Sequence, residues 1–485
     1  MNALLLLPEL LAVAAALGVM LADLWLPRER KSVLAYVAMA ACAAVLAATF
    51  VPGVAEGGTA FGGSFLVDGM ALLVKRVFAV SALLVFLMSR EYVDDLPRGH
   101  GEYYTLGLLA LVGMFLCASV NDFMSLFVSL EVVTVSFFVL VAFKRDESKS
   151  VEAGLKLLII GSISAAMLLY GIAFIYGATG TVFFVEHRAL AESGELFVSA
   201  ELLIGLFLVL LGLGFKTSAV PMHVWVPDVY QGAPTPVTAY LSVGSKLAGF
   251  VLILRVLEVF GRSVMVADEL TPFLALVAAL TLFYGNLGAI PQTDIKRLMG
   301  YSSIGQCGYI LLGVAAAWES GLSAALFYMT AYVFANLAVF TVIVYVSRAT
   351  KSHEIEDYSG LARRNPLLGA ALTIGLLSLA GVPPLVGVVG KLFLISAAFA
   401  RPELLWLVIV GLINVVVALY YYLCVIKRVW IKDARSPAEP VVPPRVKIAL
   451  AVCVLVLLAT GIAPQLIESM SAAAASTLDL PATPR

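Results

Sequence analysis

The chain has 485 residues, 61% of them hydrophobic and 13% charged, with a net charge of −1 and a mean hydropathy of +1.00. An ordinary soluble domain is about 25% charged, so the composition excludes a water-soluble protein, and the near-zero net charge excludes a nucleic-acid partner. The apolar runs are about 20 residues long and lack the short alternating pattern of an outer-membrane barrel, which leaves an all-α polytopic membrane protein.

The pattern predicts about fourteen transmembrane helices. They lie at 3–26, 32–51, 66–90, 103–119, 122–143, 152–177, 201–221, 236–260, 272–290, 297–317, 321–346, 366–398, 403–430 and 446–465. The first is a retained helix and no cleaved signal peptide. It has no basic leader, Pro8 and Glu9 interrupt its start, and Arg28, Arg30 and Lys31 anchor its far end. The loops after spans 1, 3, 5, 9, 11 and 13 hold nearly all the loop lysine and arginine, among them Lys149, Lys351 and Lys427, whereas the opposite loops hold Arg188, Arg262 and Arg401. The positive-inside rule therefore puts the basic loops in the cytoplasm and both termini outside. The longest polar loops fall near 178–200, 347–365 and 431–445, and the last, with Pro437, Pro440, Pro443 and Pro444, reads as an irregular connector.

Two spans are interrupted. Span 7 breaks around GLGFKTSAVP and holds Lys216; span 12 breaks around Gly381–Pro384 and holds Lys391. They stand five spans apart, an odd number, so they start on opposite sides of the membrane. This is the signature of inverted repeats, each with one discontinuous helix. The expected division is 1–100 for spans 1–3, 101–265 for spans 4–8, 266–435 for spans 9–13 and 436–485 for span 14.

Charges inside these spans are the candidate site. A charged lysine at the bilayer centre costs about 2.5–3.5 kcal/mol on insertion scales. Glu131 sits near the middle of span 5 and must be paired or protonated; Lys216, in the middle of span 7, is its natural partner. If desolvation and the carboxylate balance at that lysine, a small movement of Glu131 toggles the proton; the alternative is a static ion pair. Lys246 follows SVGS in span 8, where Ser242 and Ser245 are placed to hold waters, and Lys391 lies past Pro383 and Pro384. Snorkelling to an interface is the competing account of these two.

Weaker candidates flank them. Glu152 and Lys156 are spaced for a helix-stabilising pair that could also join a relay. His223, just past the span 7 break, reads equally as a proton shuttle or a structural histidine. Lys296 reads as an interface anchor near an entrance, and Asp228 as a residue pinning a loop. The five cysteines, Cys42, Cys117, Cys307, Cys424 and Cys453, are scattered singly with no CxxC spacing, so no iron–sulfur or zinc site is expected. GLGFKTS and GVVGKLF lack the full phosphate-loop pattern and lie in the membrane, so no nucleotide site is expected.

Three segments, LLPELLAVAAALGVMLADL, FKTSAVPMHVWVPDVYQGAPTPVTAYLSVGSK and QTDIKRLMGYSSIGQCGYILLG, resemble the antiporter-like subunits of respiratory complex I. Among these, DVYQGAPTPVT and the lysine in span 8 resemble subunit N of NADH-quinone oxidoreductase, the subunit 2 family of mitochondria. The resemblance covers essentially all fourteen spans. It implies two inverted five-helix bundles and a polar axis through Glu131, Lys216, Lys246 and Lys391 that translocates protons. It also implies partners in subunit M and the small membrane subunits, a place in the bacterial cytoplasmic (inner) membrane, and no cofactor in this chain, with flavin, iron–sulfur clusters and quinone in other subunits. Two neighbouring readings are a subunit of a multi-subunit sodium/proton antiporter or of a membrane-bound hydrogenase. A stand-alone solute transporter would need a recognition cluster that the lysines do not supply, and a pure scaffold leaves four buried charges unexplained.

Overall fold

The computed structural model describes residues 3–316, 318–435 and 438–477; Pro437 of the expected connector lies outside them. All fourteen expected spans are present as helices. Twelve are long and apolar enough to cross a membrane unaided. The other two are span 10, Ile295–Ala316, and span 12, which is split into Pro366–Ala380 and Val386–Phe399. Around them lie a small antiparallel hairpin, Gly58–Ala60 with Phe65–Val67, a short helix Phe184–Ser193, and a last helix Gln465–Ser476.

The span starts are written in short polar side chains. Asp68, Asp122, Ser199 and Asn365 each accept a hydrogen bond from a backbone N–H three residues on, which satisfies a donor that the first helical turn would otherwise orphan. One boundary departs from expectation. Span 9 begins at Val264, eight residues before the expected edge, and runs through Pro272. An interior proline argues for a helix end in water, but in a bilayer the helix is the only way to satisfy the backbone, and it continues.

Both expected breaks exist. The first half of span 7, Ala200–Thr217, ends on Ser218 in the left-handed region (φ 66°), and the second half is Val226–Gly232. Span 12 stops at Gly381 (φ 87°). The two broken spans stand five spans apart along the chain.

The spans are not equally buried. Span 8, Thr235–Phe260, is covered by protein along its whole length, and span 11 nearly so, whereas in spans 1, 2, 6 and 14 most residues are not buried within the chain. Span 8 is thus the interior column of the first repeat. Just before Lys246 it widens over Leu241–Ser245 into a π-helical turn, a distortion common at functional sites.

Candidate functional site

The site grows from two gaps in backbone hydrogen bonding. In an unbroken helix the carbonyls of Leu379 and Ala380 would accept from the N–H groups of residues 383 and 384, and both are proline. Lys391 fills the gap: its Nζ donates to Leu379 O at 2.8 Å and to Ala380 O at 3.1 Å, and it sits 4.3 Å from the centre of the Tyr309 ring. The ammonium therefore meets the negative end of a half-helix dipole. Span 7 repeats the device with different parts. Pro221 withholds the N–H that Thr217 O would use, and Trp225 Nε1 folds back to donate to Phe215 O at 3.1 Å. Lys216 stands in the last turn before this gap, 5.3 Å from the Phe215 ring centre. The repeats are thus not equivalent in detail, since Lys216 precedes its break and Lys391 follows its own.

Lys216, Lys246 and Lys391 are each 3% exposed or less, which removes snorkelling as an account of any of them. Lys246 donates to Ser303 Oγ on span 10 at 2.6 Å, and its Nζ lies 5.4 Å from the Tyr230 ring centre. The serines expected beside it are otherwise engaged or unpartnered. Ser242 donates to Ala239 O and accepts from Asn336, while Ser245 Oγ has no hydrogen-bond partner among the described residues.

Span 10 then carries polarity across to span 12. Ser302 pairs with Tyr422 of span 13. Gln306 donates to Tyr422 Oη at 3.1 Å and to Leu379 O at 2.9 Å, and accepts from Tyr328 of span 11. None of Ser302, Ser303, Gln306, Tyr422 or Tyr328 was singled out from the sequence as part of the site. Their signal was there, as polar residues spaced 302, 303 and 306 on one face of SSIGQCGY.

The other candidates separate from this chain. Glu131 is half-buried and shares a helix face with Met124, Val128 and Val135, all exposed, so its side of span 5 turns outward. It lies within electrostatic range of Lys216, but the two form no ion pair or hydrogen bond in this structure; the expected contact pair is open. Lys156 is over a third exposed and bound to Glu152 at 2.7 Å and Asp228 at 2.6 Å. Asp228 also holds Arg297 at 2.5 Å, so it pins the second half of span 7 to spans 6 and 10. His223 is buried with its ring against Tyr284, 3.9 Å between centres, and neither ring nitrogen has a hydrogen-bond partner among the described residues. Lys296 corrects the reading as an interface anchor. It is 1% exposed and donates to Gln231 O and Ala233 O, because the second half of span 7 ends there and leaves carbonyls to satisfy.

A separate charged cluster was missed altogether. Lys75 is fully buried and pairs with Glu9 at 2.7 Å, and beside them Arg255 of span 8 pairs with Asp68 at 2.5 Å. Among the described residues no group of three His, Cys, Asp or Glu side chains is placed to hold a metal ion.

Residues 120–418 match the family model described as NADH:quinone oxidoreductase/Mrp antiporter, TM. The NADH-quinone oxidoreductase subunit N of Moorella thermoacetica is 40% identical over 475 residues, covering 98% of each chain. The chain belongs to this family. A chain of the respiratory complex I of Thermus thermophilus with bound aureothin superposes with a TM-score of 0.80 at 30% identity, covering 96% of this chain and 100% of that one. A chain of an archaeal membrane-bound sulfane sulfur reductase gives 0.87 at 28% identity, covering 99% and 98%.

Proposed function

We propose that this chain is the subunit N of a proton-translocating NADH-quinone oxidoreductase and moves protons through its buried lysines. The observation that supports it most is the set of buried lysines. Three lysines are buried within apolar spans, two of them at helix breaks; Lys246 bonds to Ser303 of span 10, and Lys391 shares its partner Leu379 O with Gln306 of span 10. An ammonium in such a place is stable only where partners hold it, so its proton can be released by moving a partner.

In this reading Lys216 loads when Glu131 approaches and unloads towards Lys246 when Glu131 withdraws. The proton passes on to Lys391 and leaves on the side opposite the basic loops. Moving one charge against 100 mV costs about 2.3 kcal/mol. That is the work the displacement of one carboxylate near a buried lysine has to supply. Glu131 faces outward, where a neighbouring membrane subunit, subunit M or one of the small ones, can reach it. His223 and Lys156 remain candidate entry groups on the flanks. The redox centres belong to other subunits, the repeats divide at 101–265 and 266–435, and the basic loops face the cytoplasm of a bacterial inner membrane with both termini outside.

The native complex, purified and sealed into vesicles, should take up protons when NADH reduces quinone. Quinone reduction with no proton movement in tight vesicles would overturn the reading. Accessibility labelling of cysteines placed at Lys149 and Lys351 should report the NADH-oxidising side for both; either one on the far side would reverse the orientation.

A further inference from the structure

We propose that Gln306 is the positioning residue that lets Lys391 leave the span 12 break, an inference that rests on the proton-translocating reading above. The intrahelical donor of Leu379 O is missing because residue 383 is proline, so this carbonyl depends on side chains, and two of them reach it: Lys391 Nζ at 2.8 Å and Gln306 Nε2 at 2.9 Å. If the lysine were the only donor, swinging it away to discharge a proton would strand a buried carbonyl, at about 1–3 kcal/mol. With the amide in place, Leu379 O keeps a partner whether the lysine is docked or not, and the departing lysine gives up Ala380 O alone instead of both carbonyls.

The amide is fixed for this task. One of its N–H groups goes to Leu379 O and the other to Tyr422 Oη at 3.1 Å, while its oxygen accepts from Tyr328. A side chain held from spans 11 and 13 as well as its own cannot follow the lysine. An amide is also not a proton carrier at neutral pH, so Gln306 stands beside the route without being a station on it.

Few groups that titrate face Lys391. Span 10 presents Tyr309 against its Nζ, span 11 presents Tyr328 beside Gly390, and span 13 presents Tyr422 through Gln306. The first half of span 12 has no titratable residue, span 10 also carries the buried Cys307 beside Gln306, and span 14 carries the buried Cys453 and no charged residue deeper than Lys447. Phenols titrate near 10 and thiols at about 8–9, so between pH 6 and 8 the lysine is the group whose release a change at residue 306 would report.

Gln306→Met removes the competing donor and leaves Lys391 tied to Leu379 O. Gln306→Glu puts a carboxylate of the same shape at that spot and ties the ammonium harder. In assembled complex in sealed vesicles, NADH-driven proton uptake should fall severalfold at pH 7. Its pH profile should move to higher pH, modestly for Gln306→Met and further for Gln306→Glu. A merely structural role would lower the rate by one factor at every pH, and that result, or a wild-type profile in both variants, would overturn the proposal. Failure of both variants to assemble would also count against it, marking Gln306 as a packing residue. Lys391→Ala separates the two levels. If it pumps normally, the proton-translocating reading falls; if it stops pumping while the Gln306 profiles stay put, only the positioning role falls.

Discussion

At the scale of single residues, what matters is which buried polar atoms have a partner and which partner can move. Lys246 has one side-chain oxygen, Ser303 Oγ, whose own hydrogen is committed to Gly300 O at 2.7 Å. Ser303→Ala should therefore leave the ammonium with the Tyr230 face and the neighbouring Cys307 thiol but no side-chain oxygen. Proton uptake by the assembled complex should drop several-fold, with Ser303→Thr restoring most of it; an Ala variant that pumps like wild type would show that Lys246 does not depend on span 10. A different residue sets a pH limit outside the membrane. His353, in the loop after span 11, is pushed down to about 3 by burial and by the neighbouring Lys296, Lys144 and Lys149. The unfolded chain takes up a proton near 6.5 that the folded one refuses, so this contribution to stability is complete above 6.5 and declines as pH falls towards 3. Thermal unfolding in detergent should lose stability between pH 7 and 5 in wild type and lose less in His353→Gln. The sequence identified the isolated lysines because a charge in an apolar run stands out. It did not identify Ser303, Gln306 or Tyr422, because uncharged polar residues in a span are ordinary and only the packed structure shows which ones meet.

At the scale of elements, the breaks in spans 7 and 12 were legible from their prolines and glycines, and at span 12 the missing N–H groups explain why Lys391 docks there. The packing around them was not legible. Gly249 of span 8 lies flat against the first half of span 7, and a Cβ there would come within 2.7 Å of Lys216 Cβ and 3.1 Å of Thr217 Cγ2. Overpacking of this kind costs about 1–3 kcal/mol. Gly249→Val should push span 8 away from Lys216 and reduce pumping more than it reduces assembly, whereas a change at Gly177, where nothing lies within 4 Å, should do neither. Measuring uptake per assembled complex for both variants decides this. The depth of Glu131 was legible from its span, whereas its outward face emerges only from the packing of span 5.

At the scale of the whole molecule, the first three spans are fastened to the repeats by charge. The Glu9–Lys75 pair joins spans 1 and 3, and Arg255–Asp68 ties the start of span 3 to the far end of span 8. Arg255 also donates to Ala118 O at the end of span 4. Removing one member strands a buried charge, at about 3–5 kcal/mol, while replacing both with apolar residues of similar size is often neutral. Lys75→Ala should thus lower the melting temperature of the protein in detergent markedly, and Lys75→Met combined with Glu9→Leu should recover most of it. A double variant no better than the single one would show that the pair does more than fasten the spans. Lys75 does not stand out in the sequence, because it lies in the first half of its span and not at the centre, as Glu9 does in span 1.

The central claim is that Lys216 carries protons and that Glu131 controls it. The most direct measurement is NADH-driven proton uptake by sealed vesicles containing fully assembled Lys216→Ala complex, normalised to the amount of complex. Uptake should fall at least tenfold and quinone reduction should fall with it, with Glu131→Gln impaired in the same way and Glu131→Asp partly active. Wild-type uptake with wild-type stoichiometry in Lys216→Ala would contradict the account and leave that lysine a structural group at the end of a half-helix.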